Sequence, residues 1–252
     1  MDAETPQAEE PKAAELSLPQ AFLLLATNDT DGEPEVPAYI LRTTLAGAIL
    51  AELELTGAIG LQGKHVGATG TAPQTDFQRQ LELIRHKSRP HTPKRWVSML
   101  EGRAEVQRVY EGMASRGIVD QVGEKHLGLF KTVRYPEKDH GPEAAVLKKI
   151  QAALGLKPAD AAPTDTAPST ATPSPAPPTG AVRAETKATD ARTTALIALL
   201  EAAGLLDKMF PEADRRRAKE LAKDYWPACA VADELRMIRL AEAEAPLSAA
   251  PR

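Results

Sequence analysis

Two segments of this chain are too apolar to lie on any surface. Residues 16–26 read Leu-Ser-Leu-Pro-Gln-Ala-Phe-Leu-Leu-Leu-Ala, and residues 45–57 read Leu-Ala-Gly-Ala-Ile-Leu-Ala-Glu-Leu-Glu-Leu-Thr-Gly. Both put apolar side chains on most faces of a 3.6-residue repeat, and such a helix is stable in water only when other elements surround it. The chain must therefore build a bundle around them. Its 252 residues suffice for one sizeable domain or two small ones. Hydrophobic residues make up 42% of the chain but aromatics only 4%, so the core is aliphatic and helical. Neither segment carries a His, Cys or Ser grouping able to do chemistry.

Start and stop signals place the remaining elements. Ser17 and Gln20 have capping-box spacing, Pro19 is tolerated in a first turn, and Asn28-Asp29-Thr30-Asp31-Gly32 ends that helix. A second helix spans 39–56, where Gly47 and its flanking alanines permit close helix contact. The glycines at 57, 60, 63, 67 and 70 then read as a break in regular structure. Phe77, Leu81 and Ile84 mark a third helix ending before Pro90, and a short helix follows around Trp96 and Leu100. Another runs through Val106, Val109 and Met113 over 103–116 and closes at Gly117. Two β-prone runs, 118–122 and 127–133, flank Gly123-Glu124-Lys125 and predict a hairpin. Residues 142–154 form a helix with Gly155 as C-cap.

Residues 1–14 read as a disordered acidic tail and 241–252 as a second disordered tail. Residues 157–189 hold seven prolines among Ala and Thr and read as an extended, disordered insertion. Beyond it, Asp190 caps a helix ending at Gly204, and two more run over 211–223 and 227–239. Those three helices are marginal alone. Lengthening a connection from ~8 to ~32 residues costs only about 1.2 kcal/mol, so 15–156 and 190–240 are two parts of one domain. The fold expected is all-α, a compact helical bundle with one projecting β-hairpin.

Several function classes fall away. One cysteine, Cys229, cannot form an intramolecular disulfide; between Ala228 and Ala230 it reads as a small buried hydrophobe in a reducing compartment. The acidic start lacks a secretory signal pattern, and the longest charge-free apolar stretch, 16–28, falls short of the ~20 residues that span a bilayer. A cytoplasmic protein is expected. His86 and His91 stand five apart across Pro90, and His65, His126 and His140 are scattered, so all read as surface residues rather than metal ligands. Gly63-Lys64 has no phosphate-loop spacing, and no nucleophile–base pairing is visible. The expectation is no enzyme, no metal and no cofactor.

Charge is more informative. The chain carries a net −4, yet residues 76–140 hold 13 Lys/Arg against nine Asp/Glu. Within them Arg85, Lys87, Arg89, Lys94 and Arg95 have no acid among them. That run is either a solvated surface or a basic face for an anionic partner.

Leu16-Ser17-Leu18 with Leu23-Leu24-Leu25, the turn ending at Gly32, Gly47 through Leu53 with Gly57, Gly117-Ile118-Val119, Leu127-Gly128-Leu129-Phe130 and Arg192 through Ile197 follow one another in an order and at separations that resemble the Golgi phosphoprotein 3 family. The Ala- and Pro-rich composition suggests a bacterial member. The resemblance implies a peripheral membrane-associated adaptor that binds phosphatidylinositol 4-phosphate on the cytosolic face of a membrane. It also implies self-association or membrane insertion through the hairpin, here Leu127, Leu129 and Phe130. The family pocket uses one Trp and three Arg; those positions fall on Pro37, Ala46, Arg103 and Val106, of which Arg103 matches. Arg42 precedes Ala46 by one helical turn and takes its place as the second headgroup candidate. Two other readings compete: a protein–protein scaffold without lipid binding, and a winged-helix-like nucleic-acid module. The sparse Arg103, Gln107 and Arg108 lack a base-reading cluster, so no nucleic-acid partner is expected.

Overall fold

Ser17 and Gln20 start the first helix as their spacing predicts. The Ser17 Oγ accepts the Gln20 N–H at 3.4 Å, and the Gln20 Oε1 accepts the Ser17 N–H at 3.1 Å. Ser17→Ala removes one half of this box and is expected to lower stability by about 1 kcal/mol, seen as a lower urea midpoint at unchanged slope.

The computed structural model describes residues 15–70, 74–126, 130–156 and 180–244. In chain order these hold α1 (Leu18–Leu25), α2 (Ala38–Leu55), β1 (Ile59–Gln62), β2 (His65–Ala68), α3 (Gln78–Arg85), α4 (Pro93–Leu100) and α5 (Arg103–Ser115). There follow β3 (Val122–His126), β4 (Phe130–Arg134), α6 (Gly141–Leu154), α7 (Gly180–Ala203), α8 (Leu206–Met209), α9 (Arg215–Ala222) and α10 (Trp226–Glu244). The architecture is mostly helical with short antiparallel strand pairs, as the apolar segments demand.

α2 is the axis of the bundle. From Ile40 to Leu53 every residue except Arg42 is buried, because α1, α4, α7 and α10 all pack on it. Gly47 allows α10 to close in: a Cβ there would stand 2.1 Å from the Val231 Cγ2. A single hydrophobic cluster runs from Leu16 to Leu235 and includes Ile197, Leu199 and Leu200 of α7. Both halves of the chain therefore share one core. Glu52 of α2 and Arg192 of α7 lock them together through a two-pronged ion pair of 2.6 and 3.0 Å, with the Leu18 N–H donating to Glu52 at 2.7 Å.

Five sequence expectations need correction. The glycine-rich stretch after α2 is no break but a second hairpin, β1–β2, in which Gly60 pairs with Gly67; residues without side chains hide the period-two signal. In the later hairpin Gly123, Glu124 and Lys125 lie within β3, opposite Val133, Thr132 and Lys131. Ile118 and Val119, expected in the first strand, belong to the core. α7 starts at Gly180 rather than after an Asp190 cap. Cys229 is exposed: Ala228 and Ala230 take the buried directions and the 100° step per residue turns Cys229 outward. The disordered tail expected over 241–252 starts too early, since α10 continues to Glu244. Leu127 and Leu129, the tail expected over 1–14, residues 245–252 of the second tail and residues 157–179 of the insertion lie outside the described residues; Phe130 opens β4.

Candidate functional site, a basic cleft

The acid-free basic run folds around a cleft. α3 ends at Arg85, one residue before its C-cap His86, and Pro90 forbids its extension. The chain then passes along β2, where the Val66 N–H donates to the His91 carbonyl at 2.9 Å, and enters α4 through Thr92, whose Oγ1 accepts the Arg95 N–H. A cavity of about 460 Å³ opens between this connector and the β1–β2 hairpin. Arg85, Lys87 and Arg89 line one side, Gln62 and Gly67 the other, and Trp96 is a wall.

The electrostatics of this cleft differ from those of the other clustered charges. Arg85 pairs with Glu82 at 2.7 Å. Lys87, Arg89, Lys94 and Arg95 make no ion pair among the described residues. Lys94 and Arg95 also occupy the first turn of α4, where the positive end of the helix dipole disfavours cations by ~0.3–1 kcal/mol each. Positions that cost stability are not explained by folding. Trp96, 1% exposed, stacks edge-on with His91, and its Nε1–H is buried with no hydrogen-bond partner among the described residues. Lys87 and Arg89, which line the cleft without a counter-charge, suit an anion.

A larger cavity of about 510 Å³ surrounds the Glu52–Arg192 pair. Its cations are already engaged, Arg192 by Glu52 and Arg116 by the Gln20 Oε1 at 2.7 Å. It offers less to a charged ligand.

The residues singled out from the sequence fall just beyond the cleft. Arg103 is exposed at the first position of α5, again at a helix N-terminus, and Arg42 is half-buried on α2. The Thr43 Oγ1 donates to Glu101 at 2.7 Å, which joins the α2 turn next to Arg42 to the residues just before Arg103. Neither arginine makes an ion pair among the described residues. Neither lines the cleft. α4, about 12 Å long at 1.5 Å per residue, separates the two cationic groups. Ala46 is 1% exposed and Val106 packs against the core, so both serve packing here. Pro37 is exposed ahead of α2.

The order of elements, two buried helices opening the chain and a hairpin between α5 and α6, is the order the resemblance implies. The family model for Golgi phosphoprotein 3 matches residues 18–238, from the first residue of α1 into α10. The chain belongs to the Golgi phosphoprotein 3 family. No curated protein matches the sequence. Membership supports a role of the Golgi phosphoprotein 3 kind. No helix among the described residues is long and apolar enough to cross a membrane.

Sequence reasoning found the cations of the cleft but missed Trp96, which reads as a core residue. The available signal was the pair Lys94-Arg95 directly after Thr92-Pro93: a capped helix start carrying cations where acids are favoured. It also missed Arg215, Arg216 and Arg217, all exposed in the first turn of α9.

Proposed function

We propose that this Golgi phosphoprotein 3 family member is a non-catalytic adaptor that docks peripherally on anionic membrane surfaces through the basic cleft, with Arg103 and Arg42 as a second contact group. The observation that carries this reading is the pair of uncompensated cations Lys87 and Arg89 lining the cleft, followed by Lys94 and Arg95, also without ion pairs, in the first turn of α4. Phosphatidylinositol 4-phosphate is the headgroup the family resemblance implies, and its phosphates suit cations and N–H donors. Each basic side chain near an anionic leaflet contributes about 1 kcal/mol. Six of them give about 6 kcal/mol, a dissociation constant in the tens of micromolar. Such docking is reversible and weakens with salt. The cytosolic face of a membrane is the location this reading implies, and self-association through the β3–β4 hairpin is compatible with it.

The test is co-sedimentation with neutral vesicles, with vesicles containing phosphatidylinositol 4-phosphate, and with vesicles matched in charge by another anionic lipid. Pelleting is expected with both anionic sets at low salt and not with the neutral one. Lys87→Ala with Arg89→Ala is expected to weaken it by about thirty-fold, two side chains at about 1 kcal/mol each, without moving the thermal midpoint. Arg42→Ala with Arg103→Ala is expected to act similarly, since those side chains also have no structural partner. Equal pelleting on neutral and anionic vesicles would leave the protein-scaffold reading in its place.

A further inference from the structure

A second cationic surface lies on α9. Arg215, Arg216, Lys219 and Lys223 stand three and four residues apart, so they share one side of the helix, while Ala218 and Leu221 turn toward the core. All four cations are exposed. Arg215 meets Asp207 at 3.3 Å; Arg216, Lys219 and Lys223 make no ion pair among the described residues. Asp214 is spent on the helix cap, where it accepts the Arg216 N–H at 2.8 Å, and neither Glu220 nor Asp224 pairs with the four. Like charges one turn apart repel, so this face gains stability from an acidic partner.

The start of α9 is tied to the end of α6, where the Arg217 Nε–H donates to the Ala153 carbonyl at 2.7 Å. One turn earlier on α6, the Lys149 Nζ meets Glu15, the first described residue, at 2.9 Å. Four residues of helix, about 6 Å, separate the two contacts. Residues 1–14 therefore join the body of the protein beside the α9 face. They hold Asp2, Glu4, Glu9 and Glu10 against Lys12 alone. Glu10 and Glu9, five and six residues before Glu15, reach up to ~20 Å from it, enough to lie along the whole helix. Residues 157–179, which follow α6, hold only Lys157, Asp160 and Asp165 and offer far less charge.

We propose that residues 1–14 dock across Arg215, Arg216, Lys219 and Lys223, an intramolecular contact between an acidic peptide and a cationic helix face. Exposed ion pairs are individually weak, but a short connection holds the peptide at an effective concentration on the order of millimolar, so a contact too weak for a free peptide persists here. Covered in this way, α9 is closed to other anions, and the cleft stays as the open basic surface. The contact needs no lipid and does not rest on membrane docking.

The test is carbodiimide cross-linking of the full chain, which joins a carboxylate to a lysine it touches. Linked peptides identified by mass spectrometry are expected to join Glu9 or Glu10 to Lys219 or Lys223. At ~1 M salt, where the Debye length is about 3 Å, their yield is expected to fall about tenfold or more. Arg215→Gln with Arg216→Gln changes exposed side chains, so the protein still folds, and both lysines remain available; the same links are expected to fall about threefold or more. In an equal mixture of light and isotope-labelled chains, the links are expected within single chains. The proposal is overturned if no link reaches Lys219 or Lys223, or if Glu9 and Glu10 link instead to Lys87 or Lys94 of the cleft. It is equally overturned if neither salt nor the arginine substitutions lower the yield, or if the links join light to labelled chains, which would make a second copy the occupant.

Discussion

Gly32→Ala is expected to destabilise the protein by about 3–5 kcal/mol, a third or more of the stability of an ordinary domain. Two costs act together. The Gly32 backbone has φ +69°, a left-handed conformation that any side chain disfavours. A Cβ at this position would also stand 2.3 Å from the Pro136 nitrogen and 2.5 Å from the Tyr135 backbone. Those are main-chain atoms and cannot rotate away. The turn cannot move alone, because the Gly32 N–H donates to the Asn28 carbonyl at 2.9 Å and the Tyr135 N–H donates to the Gly32 carbonyl at 3.2 Å. Asn28 in turn holds the loop by accepting the Thr30 and Asp31 N–H groups on its Oδ1. Urea unfolding measures the loss, and hydrogen exchange locates it: the Tyr135 and Glu137 amides should lose protection first. A loss below about 1 kcal/mol would show that the turn and the hairpin exit are not in the contact described.

The second large effect concerns the pair that closes the core. Arg192→Met is expected to cost about 3 kcal/mol, because it strands the Glu52 carboxylate, 9% exposed, with the Leu18 N–H as its remaining donor. Glu52→Gln alone is expected to cost similarly, since Arg192, 25% exposed, then loses its counter-charge. The double variant Glu52→Gln with Arg192→Met is expected to recover more than half of either loss. No charge is left buried, and the glutamine oxygen still accepts from Leu18. Denaturant midpoints of the wild type, the two single variants and the double variant form a cycle that reads the coupling directly. Additive losses would mean that the two side chains do not interact. A coupling of 2 kcal/mol or more, by contrast, is expected for a two-pronged pair this well enclosed.

These contacts mark where the sequence was readable and where it was not. α1 and α2 were legible because their apolar character runs all round the helix, and no arrangement of partners could leave either outside. The Ser17–Gln20 box and the Gly155 stop were legible because both act within one turn of chain. The β1–β2 hairpin was not: Gly60 and Gly67 pair through their backbones and leave no side-chain pattern to count. Gly123 pointed to the wrong turn, because a glycine inside a strand looks locally the same as one in a loop. Cys229 stands on a helix with too little polarity contrast for its outward direction to be visible before α10 had docked.

For the functional sites the division is sharper. The basic run from Arg85 to Arg95 could be read from the chain because its charges are neighbours in sequence. That four of those side chains make no ion pair, and that Arg85, Lys87 and Arg89 line one cavity, depended on where α4 and β2 packed.

By itself the sequence determined an aliphatic bundle with α2 at its centre, its helix starts and stops, and a cationic segment beside an acidic remainder. The tertiary structure alone decided which charges are paired and which stand uncompensated. The reason is that burial follows a periodicity written locally along the chain. Coulomb energy and hydrogen bonding depend on distances through space and on the water left between groups, and packing sets both.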